Sequence, residues 1–248
     1  MLVLLDVGNT SITCGFYQKG RISRPESYLH DEIPQIKAKI NINGGNSHTN
    51  IIISSNVPLL VPILRKALSA YLVWIVGEDL SIPFKHKYKN INNLGIDRQV
   101  NLYGANQLYK KPLIVMDFGT AITVDYLSAK GVFEGGMIIP GPELAFQALI
   151  AKAARIPKKS PLPTTAKKFI GQDTQECMNS GILQGYGAMA DELINRFKSK
   201  YGKDLGVIIS GGFSQHLKPY ITSHVIYDPK IALEALYLLY RAHQNSPK

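Results

Sequence analysis

At 248 residues, with 45% hydrophobic and 19% charged side chains, the chain has the composition of an ordinary globular protein and can bury a sizeable core. That length suits one large domain or two of about 120 residues each, and no apolar stretch is long enough for a membrane span or shaped like a signal peptide, so a cytoplasmic protein without a membrane partner is expected. The formal net charge of +10 raises nucleic-acid binding as a possibility, but the basic residues are scattered, with modest clusters at Lys85–Lys89, Lys152–Lys168 and Lys198–Lys203; without a zinc-finger or RNA-recognition signature, no nucleic-acid partner is expected.

In chain order, strands are expected at Leu2–Leu5 and Ile12–Tyr17, with Gly20 turning the chain into a third strand over Arg21–Tyr28. A helix over Asp31–Ile40, a polar turn at Ile42–His48 and a buried strand at Ile51–Ser54 come next. Val61–Ala70 reads as a helix, Val73–Val76 as a strand, Lys85–Arg98 as a polar loop and Val100–Tyr109 as a helix. The plan then repeats. Strands fall at Ile114–Met116, Ile122–Leu127 and Val132–Ile139, a helix at Glu143–Arg155, and a Pro- and Lys-rich loop at Lys158–Lys168. A long helix over Thr174–Lys200, softened near Gly181–Gly187, precedes strands at Val207–Ile209 and Val225–Tyr227. The last helix is expected to start at Asp228-Pro229, with Asp as N-cap and Pro at the first helical position, and to bury Ile231, Ala235, Leu238 and Leu239. Cys14 and Cys177 have neither metal-ligand nor disulfide spacing and read as core thiols.

The repetition extends to the wording. LVLLDVGNTSITCGFY near the start and PLIVMDFGTAITVDYL in the second half each carry an apolar run into Asp-x-Gly-(Asn)-Thr and then a second β-rich run. Two duplicated α/β domains, 1–112 and 113–248, are therefore expected. An Asp-x-Gly turn between strands suits phosphate: Gly lets the backbone approach an anion, Thr offers a hydroxyl and Asp can hold a cation. A plain β-turn built from turn-forming residues is the competing reading for either copy alone. Three strands, then alternating helix and strand, all duplicated, is the order of an actin-like or sugar-kinase-like fold (duplicated ribonuclease H-like domains), in which ATP occupies the cleft between halves. A P-loop kinase is excluded because there is no Walker A sequence.

The chain resembles the type III pantothenate kinases. The resemblance is carried by DVGNT at Asp6–Thr10, SSNVP at Ser54–Pro58, GIDR at Gly95–Arg98, DFGTAITVD at Asp117–Asp125 and GGMIIPG at Gly135–Gly141. IGQDTQECMNSGI at Ile170–Ile182 and SGG at Ser210–Gly212 complete it. Each segment alone is weak; in this order, over almost the whole chain, the set is specific. Two departures are Ser210, where Thr is common before Gly-Gly, and Pro142 after the Pro-Gly pair.

The resemblance implies phosphorylation of pantothenate by ATP, the first step of coenzyme A biosynthesis, in a homodimer. It places ATP phosphates on Asp6, Val7, Gly8, Asn9, Thr10, Ser11, Ile12 and Thr13, with Thr120 as a further ATP contact. Asp6 would hold Mg²⁺ through water, since Mg²⁺ dehydrates reluctantly. Asp117 would ligate a monovalent cation, K⁺ or NH₄⁺, and Asp125 is read as structural. Asp97 would be the catalytic base. Gly95, Ile96, Asp97, Arg98, Tyr88 and Thr174 would line the pantothenate site, Arg98 by pairing with the substrate carboxylate. Read without the resemblance, the Asp97-Arg98 pair is as well explained as surface charge, Tyr88 as an exposed aromatic, Thr174 as a helix N-cap, and Gly211-Gly212 as a strand-to-helix turn. The six His have neither a paired nucleophile nor metal spacing and are given no role. Two rivals remain: a kinase of this fold for a sugar or another small hydroxy acid, and a regulatory or nucleic-acid-binding relative that has lost catalysis.

Overall fold

The computed structural model of the chain describes residues 1–245. The chain forms two compact units, one built from Met1–Tyr109 and the chain from Lys230 onward, the other from Lys110–Pro229.

The first unit contains strands β1 (Leu2–Val7), β2 (Ser11–Gln18), β3 (Arg21–Ile22) and β4 (Glu26–Leu29), then helix α1 (Ile33–Ile42). Strand β5 (Asn50–Ser55), helix α2 (Leu60–Ala67), strand β6 (Leu72–Ile75), a two-residue strand β7 (Lys85–His86) and helix α3 (Ile96–Leu108) follow. Its sheet runs β3-β2-β1-β5-β6, with β4 also paired to β2. β1 is antiparallel to β2 and parallel to β5. Both faces of β1 are covered. Val3, Leu5 and Val7 pack with Ile36 and Ile40 of α1 and Leu64 of α2, whereas Leu2 and Leu4 pack with Val100 and Tyr103 of α3. Successive strand residues point to opposite faces, so a central strand covered on both sides reads as one unbroken apolar run.

The second unit repeats the layout with β8 (Leu113–Phe118), β9 (Ala121–Leu127), β10 (Val132–Pro140), α4 (Pro142–Lys152), α5 (Thr174–Tyr201), β11 (Gly206–Ser210), α6 (Ser214–Leu217) and β12 (Ile226–Tyr227). Its strands are ordered β12-β11-β8-β9-β10, with β8 again antiparallel to its successor and parallel to β11. Ile114, Met116 and Phe118 pack against Leu183, Ala190 and Ile194 of α5.

Several expectations change. The third strand is split into β3 and β4 around Pro25, which has no N–H for the ladder. α5 is continuous over 28 residues. Gly187 does not break it; a side chain there would overlap the Tyr220 backbone, so the glycine serves close packing. α3 starts earlier than expected, with Gly95 as its N-cap, which moves Asp97 and Arg98 from a loop into a helical first turn. The last helix, α7 (Ile231–Gln244), starts later, with Lys230 at its N-cap. Asp228 stays outside the helix, its N–H donating to Ile209 O at 2.9 Å.

The expected division at 112/113 also differs from the compact units at the C-terminal end. α7 buries Leu233, Ala235, Leu236 and Leu239 with Val100 and Tyr103 of α3 and Leu2 and Leu4 of β1, so it belongs to the first unit. Among the described residues no helix is long and apolar enough to cross a membrane.

Candidate active site

Each unit carries one Asp-x-Gly turn at the C-terminal end of its central strand. In the first, Asp6 pairs with Thr13 and Val7 with Ile12, and the tight connection is closed by Gly8 N–H donating to Ser11 O at 3.0 Å. In the second, Asp117 pairs with Thr123 and Phe118 with Ile122, and Gly119 N–H donates to Ala121 O at 3.2 Å. Asn9, Thr10 and Thr120 are exposed at these tips. Gly8 spends its own N–H on the hairpin, and Asn9 and Thr10 form the exposed tip.

The duplication reaches further than the sequence repeat showed. On the parallel neighbour strand, Ser54 stands beside Asp6 and Ser210 beside Asp117, and both serines are buried. Ser54 Oγ donates to Asp6 Oδ1 at 2.6 Å. Burial pushes the Asp6 carboxyl up to about 6; the Ser54 hydrogen bond opposes the shift and the Asp97 charge adds to it.

Asp97 lies in the first turn of α3 and is half-buried. Its Oδ1 accepts the Arg98 N–H at 2.6 Å. Its own N–H points to Asn56 Oδ1 at 3.4 Å, and Asn56 N–H donates to Val7 O at 2.9 Å. Asn56 thus ties the end of β1 to the start of α3. The sequence shows SSNVP as a motif without disclosing that link, because the contact joins segments far apart in the chain. Arg98 is buried, with 7% of its surface exposed. Gly95 and Ile96 complete that turn, and half-buried Tyr88 lies in the segment between β7 and α3.

In the second unit, two glycines close on the Asp117 turn. Gly141 N–H donates to Thr120 O at 3.0 Å, and a side chain on Gly141 would strike Gly119 O and Thr120 O. Gly211 has φ +91°, and a side chain there would fall on the Asp117 carboxylate and the Phe118 backbone. Pro142, the departure noted above, sits in the first turn of α4, where a missing N–H costs nothing.

Thr174 is exposed at the first position of α5. The N-cap role goes instead to Asp173, whose Oδ1 accepts Glu176 N–H at 2.7 Å. Thr174 lines a cavity of about 640 Å³ with Leu149, Ile156, Cys177 and Met178, among others. Cys177 is exposed, not a core thiol; Cys14 is buried, and burial pushes its thiol up to about 12. Asp125 lies inside β9 at 2% exposure. Among the described residues no group of three or more His, Cys, Asp or Glu side chains could hold a metal ion by itself.

Duplicated sheets with paired Asp-x-Gly turns define the ribonuclease H-like fold of actin-like ATPases and sugar kinases. The structure of the activator of the 2-hydroxyisocaproyl-CoA dehydratase from Clostridium difficile, with bound ADPNP, superposes with a TM-score of 0.53 at 12% identity, covering 98% of this chain and 97% of that one. Component A of the (R)-2-hydroxyglutaryl-CoA dehydratase from Acidaminococcus fermentans gives 0.53 at 13% identity, covering 98% of each. Within that fold the sequence is specific. Residues 2–196 match the family model of type III pantothenate kinases. A type III pantothenate kinase from Persephonella marina is 34% identical over 259 aligned positions, covering 99% of this chain and all of that protein. The chain belongs to the type III pantothenate kinase family.

Proposed function

We propose that this chain, a phosphotransferase by family, moves the γ-phosphoryl group of ATP to the primary hydroxyl of pantothenate, with each site residue in the role set out below. The substrate hydroxyl oxygen forms the new bond to phosphorus, the bond to the β–γ bridging oxygen breaks, ADP leaves, and the hydroxyl proton passes to Asp97. Phosphoryl transfer asks a protein mainly for positioning and charge stabilisation, with a carboxylate near the nucleophile. The observation that carries this reading is the link through Asn56, whose N–H donates to Val7 O beside Asp6 and whose Oδ1 faces the Asp97 N–H, so that a β-turn suited to phosphate and a carboxylate on the first turn of α3 are held together.

The turn from Asp6 to Thr13 takes the ATP phosphates on Asn9 and Thr10, and Thr120 supplies a further contact. Asp6 would hold, through water, a divalent ion that arrives with the nucleotide. That ion would neutralise phosphate charge. Asp117 takes K⁺ or NH₄⁺, in keeping with a turn that pairs a carboxylate with exposed Thr120. Arg98 holds the pantothenate carboxylate, with Gly95, Ile96, Tyr88 and Thr174 as further substrate contacts. A homodimer is part of the proposal, supported by exposed Met137, Ile138, Leu144, Leu149, Phe169 and Ile170 in the second unit. So is a cytoplasmic location, supported by ATP as a substrate and two free cysteines.

A coupled ADP-release assay tests the assignment. Pantothenate should be turned over in potassium or ammonium and poorly in sodium alone. Pantothenol, which lacks the carboxylate, should be a poor substrate, and sugars should fail. Equal rates in sodium and potassium would remove the cation site, and equal use of pantothenol would remove the Arg98 clamp.

A further inference from the structure

The strands flanking the two phosphate turns end at matching points. β4 ends with Leu29 opposite Ser11, and β10 ends with Pro140 opposite Ala121. Ser11 and Ala121 are the residues whose carbonyls accept the Gly8 and Gly119 N–H groups. One residue further along the flanking strands stand His30 and Gly141, and each reaches back to its turn. Gly141 does so with its backbone, donating to Thr120 O at 3.0 Å. His30 does so with its side chain, Nε2 lying 2.9 Å from Gly8 O. A carbonyl oxygen only accepts, so Nε2 carries the hydrogen and donates.

We propose that His30 is a positioning residue for ATP: by holding the Gly8 carbonyl it aims the Asn9 N–H at the nucleotide phosphates. A trans peptide is planar, and its C=O and N–H point in opposite directions. Fixing the Gly8 oxygen therefore fixes the direction of the Asn9 amide across the same peptide bond. Val7 O is already held by Asn56 N–H and Gly8 N–H by Ser11 O, so the His30 contact secures the next group along the tip. His30 is itself anchored, because Glu32 Oε2 accepts the Leu29 N–H at 2.7 Å and braces the turn that carries the imidazole. A donor aimed before the ligand arrives need not be ordered on binding, and that advantage falls on ATP alone.

The inference rests on the reading that Asp6–Thr13 binds phosphate, so three variants are measured together: His30→Ala, His30→Gln and Thr10→Ala. His30→Ala is expected to raise KM for ATP about five- to tenfold, the range of one ordinary hydrogen bond, with kcat and KM for pantothenate within twofold of wild type. His30→Gln, whose amide nitrogen can take the place of Nε2, is expected to return KM for ATP to within twofold. An unchanged KM for ATP in His30→Ala overturns the inference. Equal impairment of the Ala and Gln variants overturns it too, as does a parallel rise in KM for pantothenate. If Thr10→Ala weakens ATP binding and His30→Ala does not, the His30 role alone falls; if Thr10→Ala also has no effect, the phosphate reading of the turn falls with it.

Discussion

Asp97 shows how one residue can hold two structural ties and still serve as a base. Its carboxylate accepts the Arg98 N–H, and an Asn at this position keeps an oxygen for that bond while losing the ability to take a proton. Asp97→Asn is therefore expected to keep its melting temperature and lose about 10²–10⁴ in turnover, the usual worth of a general base; turnover within threefold of wild type would take Asp97 out of the mechanism. Asp6 sets a pH dependence. If its ionised form is needed for nucleotide binding, activity rises with pH through about 6, where burial has pushed its carboxyl. The Ser54 hydrogen bond favours the ionised form, so Ser54→Ala is expected to move the acid limb of the kcat/KM profile to higher pH. A limb that stays in place would show that another group controls it. Stability without nucleotide runs the other way. The folded chain keeps this proton to about 6 and the unfolded chain only to 3.8, so the contribution is full below 3.8 and is lost as pH rises through about 6. The Asp-x-Gly turns were legible in the sequence because their geometry is local. Ser54 and His30 were not, because their partners lie 48 and 22 residues away.

At the scale of elements, the second turn depends on what packs behind it. Gly211 links β11 to α6 at φ +91°, with no room for a side chain beside Asp117 and Phe118, whereas Gly212 has open space around its side-chain position. Sequence alone offers Gly211-Gly212 as an undifferentiated pair; the structure separates them. Gly211→Ala is expected to cost about 1–3 kcal/mol, the range for a non-glycine residue held in a left-handed conformation. It is also expected to weaken nucleotide binding by displacing Asp117. Gly212→Ala should stay within about 0.5 kcal/mol, as at an unconstrained surface site. Denaturant midpoints of the two variants decide the matter, and equal midpoints would refute the packing argument. The early start of α3 belongs to the same scale. Polar Ile-Asn-Asn-Leu-Gly-Ile-Asp-Arg reads as loop on composition, yet Gly95 caps a helix whose buried residues begin at Arg98. That arginine is buried, which composition cannot foresee.

At the scale of the whole molecule, the sequence by itself determined that there are two copies of a strand-turn-strand unit, most of the longer strands and helices along the chain, and the Asp at the tip of each central strand. These follow from side-chain periodicity and turn chemistry, which act over a few residues. It also determined the family, because seven short motifs in one order leave few alternatives. Only the tertiary structure decided that α7 closes the core of the first unit, where Leu233 and Leu236 meet Leu2 and Leu4 from the opposite end of the chain. Only it decided that a buried serine stands beside each turn aspartate, that Asn56 joins β1 to α3, and that an imidazole reaches back to one turn and a backbone amide to the other. The reason is the same in each case. Parallel pairing and helix docking join segments separated by tens to hundreds of residues, and their register is set by the burial of apolar faces across the whole sheet, which no local stretch of sequence contains.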